Sequence, residues 1–530
     1  MNIIDDAATH AAQKVRARAQ WAIALTMLVG CGGGSNNGNG GGDSGATEAA
    51  SAMDSGTRAG DSSAATDSAD ASSDADANDG APPVGAVPPN GIQLVKSSTV
   101  TMVGVTSDGY AIYMDNKSNA VSAIGLTAGS TPIVVSAGSA SSFQYVSGPV
   151  VLYWTALDMK EVGTLSSWTK AHGSQTISTS AIASFGTYAV SADGSNVLYF
   201  DGIDETTLAG TVTVASTATG AKTALLPSVS VTGCFGQLAF GGTTAIVSHC
   251  TAPDGGAGPS TAISSFTGPS WAQVTVAENV RQAFTVDDAG AQVLVTGAAS
   301  LAAYPVGGGA AKVIDTVAGV GAFSADGTSV AYTTPTSELK RSEIATPAPI
   351  KLASGLAGLL GLSPDANWAL AYLTRDPNTG NSDLYLASAA TPGAPTTLAS
   401  MVSATVLGDA FTADSSHALF YANFDTSTLL GTFSSVSTSG GATTAYSQTA
   451  SISYATSGAK ALYNDNYNPN VGLLGTADIH AVDTSKSAAP TLLVSQADMY
   501  FYPTAAKDRI VYSWSYDMGP SSGVWVLGVP

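Results

Sequence analysis

The stretch Phe323-Ser324-Ala325-Asp326-Gly327-Thr328-Ser329-Val330-Ala331-Tyr332-Thr333 constrains this chain more than any other, because variants of it recur. An apolar strand end runs into Ser-x-Asp-Gly, and a second apolar strand begins at once. Asp-Gly suits a tight reversal, since Gly accepts a positive φ and the Asp side chain caps the turn. Versions stand at Val190–Phe200, Leu362–Tyr372 and Phe411–Tyr421, with Asp193, Asp365 and Asp414 at the reversal. Self-similarity at a fixed spacing points to a repeat architecture, in which each unit buries its faces against its neighbours.

From residue 92 onward the turns fall near Asp108, Gly148, Asp193, Gly241, Asp288, Asp326, Asp365, Asp414, Ser457 and Lys507. That is a period of about 40 to 49 residues and about ten units. The units near Gly148 and Gly241 lack the motif but keep the strands, as in Val150-Val151-Leu152-Tyr153-Trp154 and Ala245-Ile246-Val247. Spacing requires them, because Asp108 and Asp193 lie two periods apart. The unit from Leu362 shows the internal order. Trp368–Leu373 is a second strand, Asp376–Ser382 a polar hairpin, Asp383–Ala387 a third strand and Thr396–Ala399 a fourth. Second strands such as Val197-Leu198-Tyr199-Phe200 are apolar without alternation, which means burial on both faces. Four short strands per period predict an all-β fold, a β-propeller of four-stranded antiparallel blades over residues 92–530.

Ser363-Pro364-Asp365, then Ala369-x-Ala371-Tyr372, a polar hairpin and Asp383-Leu384-Tyr385 resemble the repeat of TolB-like propellers. Those are WD-repeat-like blades found in exported bacterial proteins. The resemblance implies the fold and supplies no catalytic residues. The α/β domain of TolB itself has no counterpart before residue 92, so TolB's envelope role does not carry over. The last unit ends one strand short, after Val524–Leu527, while Ile92–Val95 precedes the first unit as one strand too many. Pairing these two would close a ring and remove its edges. One large ring, two rings of five, or fewer blades with inserts all remain open at this level.

Lys14, Arg16 and Arg18 precede a short apolar run, Trp21–Val29, as in an export signal. The run is shorter than the ~20 apolar residues of a permanent span. It ends in Leu28-Val29-Gly30-Cys31, which resembles the lipobox of bacterial lipoproteins. The resemblance implies that residues 1–30 are a signal peptide, that Cys31 is lipidated, and that a lipid bilayer is one partner. Gly32, in place of Asp, implies the outer membrane, at its periplasmic face or the cell surface. Residues 31–91 are Gly, Ser, Ala, Asn and Asp with almost no large apolar side chain, so a flexible, disordered tether is expected. About 60 residues of such coil reach roughly 40 Å. The formal net charge of −20 argues against nucleic acid and against electrostatic binding to anionic lipid.

Catalytic signatures are sparse. Of the histidines beyond the signal, His172, His249, His417 and His480, none stands in a zinc-binding spacing. His417 is expected to be a solvated turn residue. No Gly-x-Ser-x-Gly elbow joins a strand to a helix, and runs such as Gly307-Gly308-Gly309 lack the Lys of a phosphate loop. Asp376-x-Asn378-x-Gly380-x-x-Asp383 is similar to a calcium loop but lacks a further carboxylate. Asn464-Asp465-Asn466-Tyr467-Asn468-Pro469-Asn470 reads as a polar turn, and secondarily as a cation or sugar contact. The repeated Asp is expected to cap its turn. No cofactor, metal site or catalytic residue is assigned.

Cys234 and Cys250 are expected to form a disulfide, since export favours pairing and both are equidistant from residue 242 of a hairpin. The leading functional expectation is an envelope lipoprotein whose propeller is a scaffold for a protein or glycan partner. A hydrolase or lyase acting on glycan or peptide at the ring mouth is the alternative, and a component of a surface layer is a third.

Overall fold

The computed structural model describes residues 91–529 save 139–141, 185, 205, 231–236, 252–259, 288, 298, 374–380, 403–405, 407, 426–427, 429, 469–470, 472–474, 487 and 516–520. The signal, Cys31 and the tether therefore lie outside the described residues. Every described regular element is a β-strand. The repeated turn does what its residues dictate: Phe323 pairs Val330 across Asp326-Gly327, with Gly327 at φ 67°.

Among the described residues, ten blades follow one another. Blade 1 comprises Val100–Val105, Tyr110–Asp115, Ala120–Gly125 and Ile133–Ser136, each antiparallel to the next. Blade 7 comprises Leu356–Leu362, Trp368–Leu373, Ser382–Ser388 and Thr396–Val402, the strands expected there. The two units without the motif are complete blades, and their reversals pair Ser147 with Val150 and Gly241 with Thr244. Two blades depart from the plain pattern. Blade 8 has three regular strands, and its inner edge is reduced to the bridges Gly408↔Ser453 and Phe411↔Ala418. The outer strand of blade 2, Gly173–Ile182, runs on far enough to pair Ala181 with Asp201, which joins blades 2 and 3 into one sheet.

The apolar second strands are sandwiched between neighbouring blades. Val197, Leu198, Tyr199 and Phe200 are fully buried, with alternate side chains entering two different clusters. Burying a large apolar side chain contributes roughly 1.5–3 kcal/mol, so such a strand is a main source of stability for two seams at once. Among the described residues, the principal packing between blades joins units consecutive in the chain, and blade 10 packs on blade 1. The ten units thus form one circuit.

Closure is made by the surplus strand. Ile92–Lys96 pairs with Gly523–Gly528 to give the order Ile92–Lys96, Gly523–Gly528, Arg509–Trp514, Phe501–Pro503 in the last blade. Gln93 faces Trp525, Lys96 faces Gly523, and Gln93 Nε2 donates to the Ser522 carbonyl at 3.1 Å. Val511, Val524 and Val526 of this blade pack with Val100, Met102 and Tyr113 of blade 1. Deleting residues 92–98 is expected to leave an open edge, lowering the melting temperature by several degrees or causing aggregation. Deleting 36–80 is expected to do neither, and thermal unfolding of the two deletion proteins checks it.

Candidate functional site

The turns between the first and second strands of blades 3, 6, 7 and 8 carry the most regular side-chain chemistry. Ser324 Oγ donates to Asp326 Oδ1 at 2.6 Å and accepts the Ser329 amide at 3.0 Å. The same Asp oxygen accepts the Thr328 amide and hydroxyl at 3.0 and 2.9 Å. Ser191/Asp193/Ser195, Ser363/Asp365/Asn367 and Thr412/Asp414/Ser416 repeat this geometry. The Ser324 hydroxyl, with the Thr328 amide and hydroxyl, holds the Asp326 carboxyl below its ordinary range. At Asp193, Asp365 and Asp414 partial burial pushes upward, but the hydrogen bonds outweigh it and the carboxyls again titrate low. These carboxylates serve as turn caps: their oxygens are engaged by their own turns, and they are held ionised rather than poised to exchange protons.

The histidines are spread over separate blades. His249 is buried, with Nε2 3.0 Å from Ser264 Oγ. His417 is half-buried rather than solvated, because it opens the strand His417–Asp425 and its Nδ1 lies 2.9 Å from Ser416 Oγ. His480 stacks on its cross-strand partner Tyr463, with ring centroids 5.3 Å apart. Both its ring nitrogens are buried without a hydrogen-bond partner among the described residues.

The segment 464–468 is not a turn. It continues the strand Lys460–Asn468, with Asp465 opposite Asp478. Two of its polar side chains, Asn464 and Asp465, are used sideways, between blades. Asn464 is buried and accepts the Ser451 and Ile452 amides at 2.8 and 3.1 Å, while its Nδ2 donates to the Met499 carbonyl at 3.2 Å. Asp465 accepts the Ser447 and Thr449 hydroxyls at 2.5 and 2.7 Å. The cluster of Tyr463, Asp465, Asp478 and His480 was missed by motif reading. Its signal is Tyr-x-Asp facing Asp-x-His on adjacent strands, visible only once the register is known. Among the described residues no group of three or more His, Cys, Asp or Glu converges on a metal position. Most of the calcium-like segment, residues 376–380, lies outside the described residues.

Burial lowers the pKa of His249, His417 and His480. The folded protein therefore resists protons that the unfolded chain accepts below its ordinary value of about 6.5. Stability is expected to be full above that pH and to fall progressively below it. His480→Gln should flatten the dependence between pH 7 and 5, measured by urea unfolding at stepped pH.

Among the described residues, two clefts lie beside the first turns of adjacent blades. One, of about 270 Å³, lies at the closure seam and is lined by Asp108, Leu126, Thr504, Asp508 and Arg509 among others. The second, of about 380 Å³, lies between blades 3 and 4 and is lined by Asn196, Thr243, Gly268, Pro269 and Trp271. The Ala192 amide donates to the Gly242 carbonyl at 3.2 Å and ties together the turns beside it.

The hairpin that carries Cys250 has a two-residue turn. Gly241 pairs Thr244 and Gln237 pairs Ser248, so the ladder is one residue off the register that sets 234 opposite 250. Cys234 lies outside the described residues. We propose that Cys234 and Cys250 pair, and non-reducing peptide mapping checks it: a linkage holding 234 and 250 is expected.

No family model matches the chain, and no curated protein matches it. Similar solved structures include a eukaryotic initiation factor, 15% identical, covering 69% of this chain and 90% of that one, with TM-score 0.45. Another is the β-propeller domain of the trilobed protease from Pyrococcus furiosus, 8% identical, covering 53% and 88%, with TM-score 0.30. A third is the acylaminoacyl peptidase of Pyrococcus horikoshii, 7% identical, covering 53% and 49%, with TM-score 0.30. The chain spans about half the length of that peptidase. The β-propeller class is defined here by this chain's own sheets: four-stranded antiparallel blades in a circuit closed between the two ends of the repeat.

Proposed function

We propose that this protein is a lipid-anchored envelope protein whose propeller is a binding scaffold for a protein or glycan partner. The observation that carries the reading is the order of parts in the sequence. Basic residues, an apolar run and Leu28-Val29-Gly30-Cys31 come first, an acidic spacer follows, and the repeat comes last. A lipid on Cys31 holds the chain at a membrane, since two or more acyl chains anchor stably. Residues 31–91 then let the ring stand off the surface, with the outer membrane as the proposed location. The scaffold part is supported by how the polar groups are used. The turn carboxylates cap their own turns, and the histidines sit in different blades. Such a surface recognises by shape and hydrogen bonding.

Cys31→Ala is expected to move the protein from the membrane pellet to the soluble fraction. Retention in the pellet would mean that lipid at Cys31 is not the anchor. For the scaffold role, the purified full chain should retain an envelope protein or glycan saturably and without turnover. Turnover of a glycan or peptide library would contradict that role.

A further inference from the structure

The cleft between blades 3 and 4 has a lining unlike the other. Trp271 and Pro269 form its apolar side, and Asn196 and Thr243 its polar side, with no charged side chain among the lining residues. The closure-seam cleft, by contrast, carries Asp108, Asp508 and Arg509.

Trp271 occupies the hairpin between Ser260–Thr267 and Ala272–Glu278 at φ 51°, a conformation ordinarily left to Gly or Asn. Its amide donates to the Thr267 carbonyl at 3.0 Å, so the backbone is held there. Local turn chemistry favours a small residue at this position, which leaves the indole itself to be explained. The ring packs at one edge on the core shared by blades 3 and 4. Gly268 lies against it so closely that a Cβ at 268 would stand 3.3 Å from the indole Cζ2. The indole is thus fixed in direction, half-buried, and borders the cleft.

The polar side is open to a ligand. Asn196 Nδ2 donates to Ser195 Oγ at 2.7 Å, which uses one of its two N–H groups and none of the carbonyl capacity. Thr243 Oγ1 and Trp271 Nε1 make no hydrogen bond to described residues.

We infer that this cleft binds a neutral pyranose unit of a glycan. A pyranose has one face of C–H groups, which suits a fixed aromatic surface, and a rim of hydroxyls that both donate and accept. The Asn amide and Thr hydroxyl supply both roles beside the indole. Absence of charge in the lining favours a neutral sugar over an anionic one. A peptide added in extended form would pair along the edge strand Ala272–Glu278, none of whose residues lines the cleft. The inference rests on the scaffold reading and narrows it to a sugar at a named place.

The test is calorimetric titration of the full chain, in detergent, with malto-, cello- and mannohexaose, alongside tri-galacturonate and an unrelated hexapeptide. At least one neutral oligosaccharide is expected to bind. Trp271→Ala should weaken it about tenfold or more, as loss of an aromatic anchor does, and Trp271→Phe less. Asn196→Ala should weaken it too, and every variant should keep the parental far-UV circular dichroism spectrum, with Trp271→Ala melting a few degrees lower because its ring packs on the core shared by blades 3 and 4. Failure of every neutral oligosaccharide, affinity unchanged in Trp271→Ala, or preference for the peptide or the galacturonate would each overturn the inference. Should Trp271→Ala still retain the envelope partner captured by the parent chain, the scaffold reading survives that failure.

Discussion

The ladder between Ile92–Lys96 and Gly523–Gly528 is the interaction on which the other blades depend. Joining the two ends of a circuit of packed sheets removes an open edge and fixes the first blade against the last. Here they are joined by backbone hydrogen bonds between residues more than four hundred positions apart. Without them the last blade would present Gly523–Gly528 as an open edge, and the Val511/Val524/Val526 surface would lose its neighbour in blade 1. Contacts within each blade are local. The closing contact is the most distant in sequence, so it carries the largest loop-closure cost.

Between blades, apolar packing does most of the work and buried polar groups set the alignment. At the seam of blades 5 and 6, Tyr332 Oη donates to Asp315 Oδ2 at 2.7 Å and Lys340 Nζ lies 3.0 Å from the same oxygen. Asn464 spans blades 8, 9 and 10 through Ser451 and Met499. Ser515 Oγ donates to Asp498 Oδ1 at 2.6 Å across the seam of blades 9 and 10, where burial pushes the Asp498 carboxyl up. Each of these bonds across a boundary forms only when adjacent blades are in place, which penalises sliding of one blade on another. The Lys507–Asp409 pair at 3.2 Å reaches from blade 10 to blade 8, past the Ala455 amide of blade 9, which donates to the same carboxylate oxygen at 2.7 Å.

Much of this fold could be read from residues. The Ser-x-Asp turns announce the period, and unalternating strands such as Val197–Phe200 announce burial on both faces. The leftover strand at 92 announces closure. The register did not follow so readily. The turn after Phe240 has two residues rather than three, a difference no composition rule fixes, and it shifts Cys250 by one place against its partner strand. Asn464–Asn468 reads as a turn because Asn and Asp favour turns in isolation. In the fold Asn464 and Asp465 bond towards the neighbouring blades while Asn466 bonds to Asp478 on the adjacent strand, and the strand continues. Trp271 carries no motif at all. Its place in the cleft depends on two turns brought together from different blades.

Native-state amide hydrogen exchange tests the central claim most directly. If the ring closes as described, amides in 92–96 and 523–528 are protected to the level of 509–514 and lose protection together. Exchange of 92–96 at the rate of an unpaired segment, with 509–514 still protected, would contradict closure by this strand.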